Sequence, residues 1–269
     1  MHILKGYTKQ EISWMMYDWA NSAHSVIIVT LLPIFFDTVA GYTADSVSSM
    51  STWGYATSIA MLIVALAAPF LGVFGDIRGM RKKLFSFFML LGVAACAGMA
   101  FTPGMDFTSG PVAAGKVASL ILVLYIVSVI GFDASAIYYD AFLTDVTTED
   151  RMDKVSTMGY GLGYIGGSTI PLLIFLIMNL VGVPMLTCLA FVFGLTAVWW
   201  LAFSLPLLKN CEQTSGKPYE KGDVARSIKG VGTTIKEIIA NKPMLIYILS
   251  YFFYIDGVHT VISMATTYG

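Results

Sequence analysis

Long apolar stretches separated by short polar segments dominate the pattern of this chain. Seven of them approach or exceed the roughly 20 residues that an α-helix needs to cross the hydrocarbon core of a bilayer. They lie at 13–36, 51–74, 84–101, 118–142, 155–180, 184–208 and 244–267. The pattern therefore predicts an all-α membrane protein with seven spans, of which the third is the shortest.

The composition supports this prediction and excludes several classes of protein. Apolar residues make up 57% of the chain and charged residues 12%, whereas an average soluble domain carries about 25% charged residues. The three cysteines show neither disulfide pairing nor metal-binding spacing. No phosphate-binding glycine loop and no nucleophile–base pair is present. We therefore expect that the protein lies in a lipid bilayer and is not an enzyme. We also expect that it binds no cofactor, metal or nucleic acid.

Positive charges are confined to alternate connections between the spans. When the N-terminus is placed in the cytoplasm, Lys116 alone among the 16 Lys and Arg residues falls on the outer side. Cytoplasmic loops of membrane proteins carry such an excess of Lys and Arg. We therefore expect a multi-pass protein whose N-terminus and linker 209–242 face the cytoplasm, while Thr43 and Gly110 face outward. The first stretch is not predicted to be a signal peptide, because its apolar core is too long and is interrupted by polar residues.

A group of polar residues lies inside the first predicted span. Asp18, Asn21, Ser22 and Ser25 follow helical spacing and share one face of the helix, and His24 lies beside them in the sequence. Polar groups are costly in hydrocarbon, by about 2.5–3.5 kcal/mol for a charged residue on insertion scales, and they usually mark a pathway or site. The alternative interpretation is that these groups only join neighbouring helices by hydrogen bonds.

The seventh predicted span repeats this polar pattern. Residues 21–27 and 256–262 both read as an amide or acid, two small residues, His, a hydroxyl, Val and Ile. The repeated polar positions are Asp256, His259, Thr260 and Ser263. Because spans one and seven run in the same direction, the echo indicates two parallel repeats around an axis along the membrane normal.

The fourth span contributes two further acids, Asp133 and Asp140. Asp140 lies near the cytoplasmic end of its span, so an interfacial helix cap is an equally good interpretation of that residue. In the fifth span, Gly159, Gly163 and Gly167 recur every fourth position, which indicates close packing of helices.

The order of the segments predicts three parts: a six-span bundle at 1–208, a cytoplasmic linker at 209–243 and a seventh span at 244–269. The linker contains a predicted basic amphipathic helix at 224–240, which would lie in the lipid interface. Six spans, a linker and a seventh span that echoes the first suggest a twelve-span protein cut short. Partner spans of a second bundle would then be missing from this chain.

The loop after the second span carries an ordered set of small and charged residues. Gly72, Asp76, Gly79, Arg81 and Lys83 follow the spacing Gly-x3-Asp-x2-Gly-x-Arg-x-Lys. This spacing resembles the signature loop of the major facilitator superfamily, in which it acts as a gating loop. The resemblance implies a major facilitator fold with an N-terminal six-helix bundle, the linker and the first helix of a C-terminal bundle.

Three further stretches give a closer resemblance. They are 13–22, with the specific run Tyr-Asp-Trp-Ala-Asn-Ser, then 139–143 with Arg151 and 155–156 beyond it, and 256–262. Together they resemble the vacuole-effluxer-like branch of the superfamily, around the fungal autophagy-related amino-acid exporter and its bacterial relatives. The resemblance implies a central cavity lined by spans one, four and seven, and a bacterial cytoplasmic membrane rather than a vacuolar one. Compared with the family, His24 stands in place of an aromatic residue, Asp140 in place of Asn and His259 in place of Gln.

The function predicted from these observations is secondary active transport, in the direction of export, of a small solute such as an amino acid. Protonation of Asp18, Asp256 or His259 would couple protons to the substrate during alternating access. The alternatives are a non-transporting fragment and a seven-span membrane sensor or receptor. The inside N-terminus argues against the common receptor topology.

Overall fold

The computed structural model describes residues 4–43, 49–216, 218 and 223–268 of the chain. Within these ranges every regular element is helical, which confirms the predicted all-α class. The α-helices are α1 Lys9–Ala40, α2 Ser49–Gly75, α3 Arg81–Met99, α4 Pro111–Val146, α5 Met152–Leu162, α6 Thr169–Leu180, α7 Met185–Asn210, α8 Asp223–Ala240 and α9 Lys242–Tyr268. Short 3₁₀ turns cover Thr102–Gly104 and Glu149–Arg151, and a π-helical turn covers Gly163–Ser168.

Six of the described helical segments are long and apolar enough to cross a membrane. They coincide with the six spans predicted ahead of the linker. The seventh predicted span coincides with α9. It counts as a span when Gly230–Ala240 and Lys242–Val258, which meet at an angle of 101°, are taken together. The predicted linker helix coincides with α8, whereas its position in the lipid interface and the division into bundle, linker and seventh span stay predictions.

The fifth span, predicted at 155–180, contains a π-helical turn. It consists of α5, the π-helical turn Gly163–Ser168 and α6. The reason is visible in the neighbouring helix, because a Cβ atom placed on Gly166 would lie 1.9 Å from the ring of Trp19. A π-helical turn widens the backbone by one residue and is found frequently at functional sites.

The start of α1 is fixed by a buried carboxylate. The Thr8 hydroxyl accepts a hydrogen bond from the Glu11 amide at 3.1 Å, and Glu11 accepts one from the Thr8 amide at 2.7 Å. This reciprocal pair caps the helix. The same carboxylate accepts two hydrogen bonds from Arg151, at 2.8 and 2.9 Å, and one from the Thr147 hydroxyl at 2.7 Å. Glu11 therefore joins the start of α1 to the connection between α4 and α5.

Helix α1 occupies the centre of the packing and touches α4, α5, α6, α7 and the π-helical turn. Its aromatic residues enter a common core, where the largest fully buried side chains include Trp14, Tyr17, Phe35, Phe85, Phe142 and Trp200. Lipid tails are as apolar as these side chains, so close van der Waals contact rather than water exclusion drives helices together within a bilayer.

Helices α3 and α4 cross at close range. A Cβ atom on Gly131 would lie 2.5 Å from the backbone nitrogen of Gly92 and 2.8 Å from the carbonyl oxygen of Phe88. Two backbones can approach this closely only when the crossing residues lack side chains.

The connections that carry Lys and Arg gather at one end of the molecule. Arg151 binds Glu11 at the start of α1, and Arg81 binds Asp145 at the end of α4. Cys211, at the end of α7, contacts the carbonyl oxygen of Gln10. At the other end, Tyr42 packs against Phe107. The fold thus places the charged connections on a common side, as the predicted topology requires.

We expect cysteine labelling in intact cells to follow this arrangement. Ser109→Cys, in the exposed connection before α4, is expected to react with a membrane-impermeant maleimide without lysis. Asp150→Cys, exposed at the opposite end, is expected to react only after permeabilisation. The native cysteines are buried and give a low background. Labelling of Asp150→Cys in unbroken cells would contradict the predicted orientation.

Gly131→Ala is expected to destabilise the bundle, because the added methyl meets backbone atoms of α3 that cannot rotate away. Overpacking of this kind costs about 1–3 kcal/mol. Gly115→Ala is the matched control on the same helix, since a Cβ atom there meets nothing within 4 Å. Thermal unfolding in detergent, followed by tryptophan fluorescence, is expected to show a lower midpoint for Gly131→Ala and none of that loss for Gly115→Ala.

Candidate functional site

The polar face of α1 lies directly against the glycines of the fifth span. A Cβ atom on Gly159 would lie 2.5 Å from Oδ2 of Asp18, and one on Gly163 would lie 2.6 Å from Oγ of Ser22. The regular spacing of these glycines therefore matches the polar residues of α1 turn by turn. Both sets were evident in the sequence, but their contact is a result of the tertiary structure.

The π-helical turn continues this contact around Trp19. A Cβ atom on Gly167 would lie 2.4 Å from the carbonyl oxygen of Trp19. The same oxygen accepts a hydrogen bond from the indole of Trp199 at 3.0 Å, and the Ser168 hydroxyl donates to the Ser22 carbonyl at 3.4 Å. The backbone of α1 at 18–22 is thus held on two sides, by the fifth span and by α7.

Asp18 is buried without a compensating charge. Its exposed fraction is 8%, and Oδ2 has no hydrogen-bond partner. No Lys, Arg or His forms an ion pair with it in the part of the chain that the structure describes. A buried carboxylate with no partner is strongly disfavoured, so a neutral carboxyl or a bound cation fits this environment better than a bare negative charge.

Tyr139 of α4 lies beside this carboxyl. Its phenol points toward Asp18 but makes no hydrogen bond of good geometry. The ring stacks on Trp14 with 4.4 Å between centroids, and the Trp14 indole donates to the Tyr139 carbonyl at 2.9 Å. Two buried polar atoms, the phenol oxygen and Oδ2 of Asp18, are therefore adjacent and unpaired. The sequence analysis missed Tyr139, although it directly precedes Asp140 in one of the family-like stretches.

The two acids of α4 are more accessible than Asp18. Asp140 is exposed and Asp133 is half-buried, and their seven-residue spacing places them on the same side of the helix. Asp140 lies within electrostatic range of Asp18, as does the exposed Tyr160 of α5. The surface formed by α1, α4 and α5 thus carries two acids close to each other and an aromatic phenol.

Asn21, Ser22 and Ser25 lie on the α1 face of Asp18, with Asn21 buried and the two serines half-buried. His24 does not share this surface. It is 3% exposed, faces Ser128 of α4 at 3.3 Å and stacks on Phe132 with 4.7 Å between ring centroids. The physical reason is the helical rotation of six residues from Asp18, which turns His24 into the contact with α4. Its surroundings fit a histidine in the core of the bundle.

The described polar residues of α9 are more exposed than Asp18. Helix α9 packs along α1, and Asp256 and Thr260 are exposed on it. The side chain of His259 lies outside the described residues. No hydrogen bond or ion pair joins Asp256 to Asp18 among the side chains that the structure describes. Asp18 and Asp256 therefore lie on neighbouring helices, with no polar contact between these two side chains.

The predicted gating loop forms a compact turn around Arg81. Its guanidinium donates to the Asp145 carboxylate and to the Ala141 carbonyl, the latter at 3.0 Å, and lies 3.9 Å from Asp76. Gly79 has a φ of +81°, which only glycine adopts readily. A Cβ atom on Gly72 would have no neighbour within 4 Å, and Lys83 is exposed. Asp145 is a further member of this turn that the sequence analysis did not find.

The helical fold and the acid-lined surface define an all-α, multi-pass membrane protein of the major facilitator class. The family described as vacuole effluxer Atg22 like matches residues 7–152 and 144–269, and the chain belongs to this family. The uncharacterized MFS-type transporter YxiO of Bacillus subtilis is 40% identical over 275 residues, covering 99% of this chain and 61% of that protein.

Two fungal proteins match a shorter part. Autophagy-related protein 22-1 of Sclerotinia sclerotiorum is 27% identical over 42% of this chain, and its namesake in Penicillium rubens is 26% identical over 43%. Each match covers 21% of the fungal protein. The chain spans about three fifths of the length of the bacterial relative. The named relatives are transporters and autophagy-related proteins rather than enzymes.

We expect Gly159→Ala to displace the Asp18 carboxyl, since the new methyl would lie 2.5 Å from Oδ2. Gly161→Ala is the matched control two residues away, where a Cβ atom meets nothing within 4 Å. Both substitutions raise helix propensity equally, by about 1 kcal/mol. Thermal unfolding and hydrogen exchange of α1 are expected to show a loss of stability for Gly159→Ala relative to Gly161→Ala. Equal stability of the two variants would contradict the close contact of α1 with α5.

Proposed function

We propose that this chain supplies the first bundle, the linker and the first helix of the second bundle of a secondary transporter that exports a small solute. Membership of the effluxer-like family and the similarity to an MFS-type transporter support this assignment. Alternating access would rock one bundle against the other around a site near the middle of the membrane.

The observation that carries the proposal is the buried, unpaired carboxyl of Asp18. Structural carboxylates in membranes are paired or hydrogen-bonded, whereas unpaired ones mark proton and substrate pathways. Two other acids of this bundle with buried side chains, Glu11 and Asp145, each bind an arginine. Asp18 is therefore a group that can exchange a proton rather than a structural link.

The proposed coupling follows from packing. A neutral Asp18 fits between α1 and the backbone of α5 at Gly159, because a protonated carboxyl needs little compensation in apolar surroundings. An ionised Asp18 needs water, a cation or donors such as the Tyr139 phenol. Ionisation thus favours an arrangement in which this contact opens toward solvent, and protonation favours the closed contact. A proton that binds one arrangement better than the other shifts their populations.

The substrate would meet the exposed part of the same surface. Asp133 and Asp140 offer carboxylates, and Asn21, Ser22 and Ser25 offer neutral donors and acceptors, a set that suits the ammonium and carboxylate of an amino acid. Asp256, His259 and Thr260 would complete the site from the second bundle. The match to a bacterial protein over 99% of this chain favours a bacterial cytoplasmic membrane as the location.

Asp18→Asn is expected to uncouple transport from the proton gradient, because the amide keeps the size of the carboxyl but cannot exchange a proton. The test is amino-acid transport by a transporter of full family length carrying this sequence, reconstituted in vesicles with and without an imposed pH gradient. A coupling of 1–3 kcal/mol corresponds to about 5–150-fold stimulation by the gradient, which the variant is expected to lose.

The control is Asp150→Asn, which changes an exposed acid in the connection between α4 and α5. This variant is expected to keep the stimulation by the gradient. Asp256→Asn is expected to behave like Asp18→Asn, and His259→Gln is expected to be milder, since it restores the residue typical of the family. Full gradient dependence in both Asn variants would remove these acids from the proton pathway and leave Asp133 and Asp140 as candidates.

A further inference from the structure

The first residues after α7 do not leave the bundle at once. Residues 211–216 run back along the turn between α2 and α3 and contact both that turn and the end of α4. Cys211 is fully buried beside the Gln10 carbonyl, and burial raises the pKa of its thiol to about 12. The sequence predicted a polar linker from this point on, with no indication that its beginning is fixed.

Gln213 closes the turn between α2 and α3. Its side-chain oxygen accepts hydrogen bonds from the amides of Gly79 and Arg81 at 2.8 and 3.2 Å, and its side-chain nitrogen donates to the Gly75 carbonyl at 3.0 Å. The residue before α3, Met80, provides no side-chain cap. The first amides of a helix need acceptors, and here a residue more than 130 positions away supplies one.

Asp145 holds the next two residues. One carboxylate oxygen accepts hydrogen bonds from the Thr214 amide at 3.1 Å, the Thr214 hydroxyl at 2.9 Å and the Ser215 amide at 2.9 Å. The Asp145 side chain is fully buried by these contacts and by Arg81. A carboxylate that accepts several backbone and charged donors is a strong and directional anchor.

Arg81 connects the two halves of this arrangement. It donates to Asp145, to the Ala141 carbonyl and, at 3.1 Å, to the hydroxyl of Ser215. The residue of the predicted gating loop with the most polar contacts therefore binds the linker as well as its own bundle. We call Gln213, Thr214 and Ser215, together with Arg81 and Asp145, the linker clasp.

Gly216 marks the exit of the chain from the clasp. Its φ is +113°, and a Cβ atom would lie 2.7 Å from the carbonyl oxygen of Asp76 and 2.8 Å from the side-chain nitrogen Nε2 of Gln213. Only glycine combines this backbone conformation with so close an approach.

We propose that the linker clasp keeps residues 211–216 fixed to the α2–α3 turn, with Gln213 as the positioning residue, so that the start of the linker belongs to the first bundle. When the bundles rock, the α2–α3 turn and the first part of the linker then move as one body. This inference rests on the proposed transport function only for the motion, whereas the clasp itself is a property of the bundle.

The first test measures the clasp without transport. Spin labels are attached at Arg78→Cys and Glu212→Cys, two exposed positions on the turn and the linker, in the chain reconstituted in lipid nanodiscs. Pulsed electron paramagnetic resonance is expected to give a single narrow distance distribution. Gln213→Ala removes all three of its hydrogen bonds and is expected to lose the narrow peak, as is Thr214→Val in combination with Ser215→Ala.

Thr214→Ser keeps the hydroxyl and is the matched control, expected to retain the narrow distribution. Tryptophan fluorescence and the thermal unfolding midpoint verify that the variants are folded, and Thr214 and Gln213 lie at the surface where substitution leaves the aromatic core intact. A narrow peak that survives Gln213→Ala and the double substitution unchanged would overturn the clasp.

The second test addresses the motion in a transporter of full family length carrying this sequence. The same cysteine pair is joined by a bifunctional thiol reagent whose length matches the measured distance. Transport is expected to continue after cross-linking at the rate of the singly labelled variants. If cross-linking stops transport, the linker must leave the turn during the cycle and the proposal is wrong. Absence of transport before cross-linking would instead count against the proposed function, and the distance measurement would still decide the clasp.

Discussion

The close approach of α1 to the fifth span is the constraint on which the rest of the structure depends. The absence of side chains at Gly159, Gly163 and Gly167 brings the backbone of one helix against the polar face of the other. Within a bilayer this contact gains van der Waals energy but offers few donors to the groups it covers. The contact therefore both stabilises the bundle and leaves Asp18 without a partner. Close helix packing and an unpaired carboxyl thus have the same origin.

At the charged end of the bundle, by contrast, the buried acids are paired. There each buried acid has an arginine: Glu11 binds Arg151, and Asp145 binds Arg81. Removal of one partner from such a pair costs about 3–5 kcal/mol, because the other charge is left uncompensated. The two pairs connect α1 to the α4–α5 connection and α4 to the α2–α3 turn. The ends of the helices are thus held rigidly where charges are numerous, while the acid within the membrane remains unpaired.

This contrast is the basis of the proposed transport function. In that proposal a rigid end would transmit motion between bundles, and the weakly compensated Asp18 would respond to protons and solutes. The π-helical turn at Gly163–Ser168 lies beyond Asp18 from the charged end and packs against Trp19. The family to which the chain belongs and its similarity to an MFS-type transporter support a transport function.

The sequence by itself determined the six spans that precede the linker, the helical class, the family and the polar face of α1. These features depend on hydrophobic length and on helical spacing, both of which are local. It did not reveal the π-helical turn within the fifth span, because the contact of Gly166 with Trp19 involves a ring from another helix. It also could not show that His24 faces α4 while Asp18 faces α5, because the spacing of polar residues along α1 does not say which helix lies on each side of it. The proximity of Tyr139 to Asp18, and the hydrogen bonds of Gln213 to the start of α3, join residues more than 100 positions apart. Only the tertiary packing decides such contacts, because the pattern along one helix contains no information about which helix lies beside it.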